Sequence, residues 1–140
     1  MASKLVCDPA ESGWANASQN APGIPKSFSF EEALLSRDID AVAISTPAET
    51  HFELARFALK SGKDVFIEKP LALKVCDGEE LKCLAEEHGR ILMVGHLLEY
   101  HPAVLKLREL LKSGDLGRLN YIYSNRLNFG KIRTEENALW

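Results

Sequence analysis

The sequence predicts an α/β fold, an open parallel sheet wound with helices, and three observations carry that prediction. Short apolar runs recur at 41–44, 64–67 and 91–94, the pattern of strands covered on both faces. Between them, apolar residues recur at helical spacing. Strands alternating with helices give right-handed βαβ units and a parallel sheet. The third observation is where two of these runs end, at Ser45-Thr46-Pro47 and Glu68-Lys69-Pro70. Polar groups at the carboxyl ends of neighbouring strands are what a ligand crevice on such a sheet requires.

Element by element, the chain opens on Leu5-Val6-Cys7, a short strand stopped by Asp8-Pro9. Residues 11–25 hold Gly13, Asn16, Ser18, Asn20, Pro22, Gly23 and Pro25, a loop-like composition in which a helix would be poor. A further short strand is expected before the next helix. Ser29 with Glu32 reads as a capping box opening a helix over about 30–36. The strand 41–44 follows. Thr50 with Glu53 reads as a second capping box; Leu54, Ala55, Ala58 and Leu59 make one helical face, and Gly62 is placed to end it. After the strand 64–67, Asp77 is expected to cap a helix reaching about residue 88, with Leu81, Leu84 and Ala85 inward and Gly89 beyond. The strand 91–94 leads to a helix over about 101–113 with Val104, Leu107, Leu110 and Leu111 on one face. The segment 119–129, rich in Tyr, Ile and Leu with polar residues between, reads as a long strand solvated on one face. The pattern changes near residue 117, so residues 1–117 are expected to form one partial domain and 118–140 the start of a second sheet.

Composition narrows the function classes. With 140 residues the chain is long enough to bury a core, and 46% hydrophobic with 26% charged residues is ordinary for a globular protein. A net charge of −3 gives no reason to expect nucleic acid or an anionic membrane as partner. No apolar run reaches the about 20 residues of a membrane span. Cys7, Cys76 and Cys83 are odd in number and match no zinc spacing, which leads to an expectation of free thiols in a cytoplasmic protein and of no metal site.

Lys69 is the leading candidate for chemistry. Pro70 pushes it toward extended geometry, and an X-Pro bond can also be cis. A lysine ending a buried strand can act as a proton carrier, with Glu68 pairing with it or accepting from a sugar hydroxyl. The same three residues also read as a plain strand-end turn with exposed charges. Thr46-Pro47 with His51 forms a second cluster at a strand end and the first turn of a helix, whose amino end favours anions; a capped helix with a surface histidine is the alternative. His96, Glu99 and His101 fit no zincin spacing. His96 directly follows a strand, and His101 before Pro102 suits a helix start. Asp8 ends the first strand, where an acid could take ribose hydroxyls or simply start a helix with Pro9. Arg126, Asn128, Lys131 and Arg133 could face a phosphorylated or nucleotide-linked substrate, or form the solvated face of a sheet.

Taken together, Asp40–Pro47, Thr50-His51, Gly62–Leu71, Val94-Gly95-His96, Tyr100–Ala103 and Gly114–Arg118 resemble the Gfo/Idh/MocA oxidoreductase family. The tail 124–140 looks most like dehydrogenases acting on nucleotide-linked amino sugars. The resemblance implies a Rossmann-like doubly wound sheet and a cofactor, NAD or NADP, with hydride transfer from a sugar ring hydroxyl. It implies Lys69 as the proton-transfer residue and Asp8, Thr46, Pro47, His51, Glu68, Lys69, Pro70 and His96 around the cofactor, with Arg126 and Asn128 toward the sugar nucleotide. Asp8 would favour NAD by repelling a 2′-phosphate. The family's first strand with its Gly-x-Gly-x-x-Gly turn, and its catalytic Asp and His in the second domain, have no counterpart in residues 1–140. The expectation is therefore of an incomplete sheet with weakened or lost cofactor binding. Its exposed strand edges would pair in a homo-oligomer. The alternative readings are a non-catalytic binding or oligomerising module, and a half-enzyme complemented by another chain.

Overall fold

Strands β3 (Ala41–Ile44), β4 (Asp64–Ile67) and β5 (Leu92–Val94) lie parallel in that order, and β1 (Val6–Cys7) pairs in parallel with β2 (Lys26–Ser27) in a separate two-stranded sheet. The helices are α1 (Glu11–Asn20), α2 (Phe30–Leu35), α3 (Ala48–Lys60), α4 (Val75–Glu87) and α5 (Pro102–Ser113). This computed structural model describes residues 5–20, 22–125 and 127. It is an α/β fold, as the alternation of strands and helices predicts, and it divides into two units between Val94 and Gly95.

In the first unit, register explains the core. Val42, Val65 and Leu92 stand side by side across the sheet, and Ile44, Ile67 and Val94 form the next matching row. Side chains alternate along a strand, so these rows share one face. Onto it α2, α3 and α4 bring Leu34, Ala55, Ala58, Leu59, Leu81 and Ala85, and the buried members form one cluster. Alanines at 55 and 58 let the α3 backbone approach the sheet closely. Each fully buried Leu or Ile contributes about 1.5–3 kcal/mol. The alternate row, Ala43, Phe66 and Met93, is less covered: Ala41, Ala43 and Met93 are exposed and Phe66 is half-buried. The expectation that β3 is covered on both faces is thus corrected.

Helix α3 stops where Gly62 takes a left-handed φ of 73°. There the Gly62 amide donates to Leu59 O and the Lys63 amide to Ala58 O, closing the last turn. Lys63 is buried, and its ammonium donates to Ser36 O at 2.8 Å and Ile39 O at 2.7 Å. It ties the chain entering β3 to the chain entering β4.

Several local expectations change. Residues 11–20 are helical although their composition is loop-like. Asp8 Oδ1 accepts from the Ala10 amide, Trp14 Nε1 donates to Asp8 O, and the Trp14 ring lies 3.8 Å from that of Phe28. These contacts override weak propensity. Ser29 does cap α2, its hydroxyl accepting from the Glu32 amide, but its own amide donates to Ser27 Oγ, so only half of a capping box forms. Thr50 caps nothing: α3 begins at Ala48 after Pro47, and the Thr50 hydroxyl lies 2.8 Å from Pro47 O. Helix α4 begins two residues before Asp77, which falls in its first turn.

The second unit holds a 3-10 turn (Leu97–Tyr100) and α5, capped by His101 Nδ1 accepting from the Ala103 amide and closed by Gly114 at φ 82°. Arg108 pairs with Glu99 across these two elements. Val104, Leu110 and Leu111 on α5 are half-buried, and Leu107 is exposed. Residues 119–125 form no strand, against expectation, and 126, 128 and 129 lie outside the described residues. A strand needs a neighbour to satisfy its backbone, and nothing among the described residues pairs with this one. No helix among the described residues is long and apolar enough to cross a membrane.

Candidate functional site at the strand carboxyl ends

A cavity of about 720 Å³ lies between β1 and β3. Its wall is largely apolar, with Phe30, Val42 and Ile44 among the lining residues, and Asp8, Ser45 and Thr46 line it where the two strands end. Both strands present an unpaired edge among the described residues, since β1 pairs only with β2 and β3 only with β4. The crevice therefore lies between two edges, where open α/β sheets bind their ligands.

Asp8 is half-buried. One carboxylate oxygen accepts from the Ala10 amide at 2.8 Å. The other lies over Gly13, so close that a Cβ there would sit 1.9 Å from it. Gly13 thus makes room for the carboxylate, which stays at the cavity wall with acceptor capacity remaining. The signal was present in sequence as an acid followed by glycine five residues on, but only a helical turn brings the two together. Cys7 also lines the cavity. Burial pushes its thiol pKa up, and the carboxylates of Asp8 and Glu31 act in the same direction. It is a neutral wall group rather than a nucleophile.

At the end of β3, Thr46 and Pro47 are exposed, and Thr50 Oγ1 lies 2.7 Å from Thr46 Oγ1. At the end of β4, the Glu68 amide donates to Ile44 O at 2.9 Å, which fixes this residue beside β3. Glu68 is half-buried, Lys69 exposed and Pro70 half-buried, and the Lys69–Pro70 bond is cis. His51, on the first turn of α3, joins the two ends. It is 1% exposed, with Nδ1 2.7 Å from Pro70 O and Nε2 2.8 Å from Thr46 O. Both ring nitrogens are therefore engaged by backbone.

The fold thus gathers Thr46, Pro47, His51, Glu68, Lys69 and Pro70 at adjoining strand ends, and puts Asp8 across the cavity from Thr46. His96 belongs to the second unit, where it is exposed and precedes the 3-10 turn. Arg126 and Asn128 lie outside the described residues. Among the described residues no group of three or more His, Cys, Asp or Glu side chains is placed to hold a metal ion.

Comparison with known proteins gives the family and the fold. The family model described as an oxidoreductase family with an NAD-binding Rossmann fold matches residues 3–96. The uncharacterized oxidoreductase YdgJ of Escherichia coli is 37% identical over 103 residues, which are 74% of this chain and 29% of that protein. A UDP-N-acetylglucosamine 3-dehydrogenase of Acidithiobacillus ferrooxidans is 35% identical over 102 residues, 73% of this chain and 31% of the relative. The crystal structure of KijD10, a 3-ketoreductase of Actinomadura kijaniata in complex with NADP and TDP-benzene, superimposes with a TM-score of 0.71 at 28% identity, covering 80% of this chain and 35% of that one. The chain spans about 30% of the length of the curated relatives it matches.

Proposed function

The chain belongs to the Gfo/Idh/MocA family of NAD-binding oxidoreductases, and from that premise we propose that it forms the ribose and nicotinamide side of a site for hydride transfer from a sugar ring hydroxyl. The observation that supports this most is the convergence of Asp8, Ser45 and Thr46 on one cavity, with Glu68 and Lys69 at the adjoining strand end.

The residues present fit part of a dinucleotide. A half-buried carboxylate with a free lone pair suits ribose hydroxyls, and Asp8 keeps one beyond its bond to Ala10. Its charge opposes a 2′-phosphate, so NAD is favoured over NADP. Glu68 accepts from the second ribose. Thr46 and Pro47 bound the pocket at the end of β3. When bound, the nicotinamide supplies the hydride acceptor. Lys69, held at the strand end beside Glu68, would assist transfer of the hydroxyl proton as the hydride leaves the carbon. The substrate class we assign is a nucleotide-linked amino sugar, a reading supported by the similarity to a UDP-N-acetylglucosamine 3-dehydrogenase. Residues 1–140 contain no Gly-x-Gly-x-x-Gly turn, the pattern whose backbone cradles a pyrophosphate.

Calorimetric titration with NADH tests the reading. Saturable binding is expected. A hydrogen bond to a charged group contributes about 1.5–3 kcal/mol, so Asp8→Ala should weaken binding by about 10- to 100-fold. Binding indifferent to Asp8→Ala would overturn the assignment.

A second reading is a non-catalytic module that pairs with further copies through its strand edges. The apolar slot between β1 and β3 favours it, because an unpaired strand edge lining a cavity can accept an added strand.

A further inference from the structure

We infer that His51 is a positioning residue, a two-ended tether that holds the Glu68-Lys69-Pro70 turn against the end of β3. The inference rests on the reading of these strand ends as the reacting side of the site, but its physical basis is independent of any ligand. His51 is 1% exposed, and its two ring nitrogens lie 2.7 Å from Pro70 O and 2.8 Å from Thr46 O. Those carbonyls belong to segments 24 residues apart in sequence that share the functional end of the sheet. A carbonyl oxygen only accepts. A ring nitrogen that carries a proton donates to the carbonyl it faces.

The scaffold makes such a ring possible. His51 sits in the first turn of α3, so its backbone is fixed by a 13-residue helix. Four residues on, Ala55 is fully buried in the core, as are Ala58 and Leu59 on the same helix, so the face that carries His51 is seated on the sheet. The imidazole bridges the two turns. The Glu68 amide reaches Ile44 O just below. One backbone bond and two ring bonds therefore fix Lys69 relative to Thr46. The ring does not face the cofactor as a proton donor: both its polar atoms are spent on the protein. Its effect on chemistry is through the placement of Glu68 and Lys69.

The test needs no cofactor. Amide exchange is compared between the wild type, His51→Gln, which retains one amide donor group, and His51→Leu. In His51→Leu the Glu68 and Thr50 amides should exchange about tenfold faster, with Val65 unchanged and His51→Gln intermediate. Equal acceleration at Glu68, Thr50 and Val65 would mean a role in global stability alone and would overturn the positioning role. Either result stands whether or not NADH binds, so failure here is distinguishable from failure of the functional reading.

Discussion

At the residue scale, the most informative contact is the one between Asp8 and Gly13. In an isolated helix, alanine in place of glycine stabilises by roughly 0.5–1 kcal/mol. Gly13 sits within α1, yet a Cβ there would lie 1.9 Å from one Asp8 oxygen and 2.3 Å from its carboxyl carbon. The carboxylate would have to leave its position, losing its bond to the Ala10 amide. A charged hydrogen bond contributes about 1.5–3 kcal/mol, which exceeds the propensity gain. Gly13→Ala should therefore lower the melting temperature and shift the Asp8 and Ala10 resonances. A rise in melting temperature would show that Asp8 has an equally good alternative position. Residue identity alone did not reveal this. Asp8 was legible as a strand-end acid, but the glycine under it read only as part of a loop, because the Trp14–Phe28 contact that folds 11–20 into a helix is long-range.

At the scale of elements, the strands 41–44 and 64–67 and the helices around Ala55 and Leu81 were legible because local pattern and tertiary environment agree there. Helix starts were less so. The Thr50-x-x-Glu53 pattern has the right spacing, but Pro47 already fixes the entry to α3 three residues earlier. The 119–129 segment carries a strand pattern, but its described part forms no strand, because pattern cannot supply a pairing partner. The unpaired edge of β3 is the element with a consequence. Edges not covered, charged or bulged invite pairing with another chain, and β3 carries only Ala, Val and Ile on four residues. Size exclusion with light scattering should find a dimer or larger assembly at micromolar concentration. Asp40 O and Ile44 O accept from the Asp64 and Glu68 amides on the β4 side, so Ala43 between them turns its amide to the open edge. Ala43→Pro removes that donor and should shift the assembly toward monomer. A clean, stable wild-type monomer would contradict edge pairing.

At the scale of the whole molecule, the first unit carries the crevice, both strand-end clusters and the buried face that positions them. The two clusters are tied to each other by His51 and, deeper in the sheet, by the pairing of Ile44 with Ile67. That coupling makes the carboxyl-terminal edge of the sheet one structure rather than two adjacent turns, and it is why the functional reading rests on geometry as well as on family. The sequence motif Glu68-Lys69-Pro70 marked the place. It did not show that Asp8 and Thr46 face one cavity, since that depends on how far β1 and β3 stand apart.

Whether this edge is a dinucleotide site is read by titrating isotopically labelled protein with NAD and following every backbone amide. Saturable shifts centred on Asp8, Ser45, Thr46, Glu68 and Lys69 are expected, with α4 and the buried strands unmoved. Shifts confined to other surfaces, or none up to the solubility of the cofactor, would contradict it.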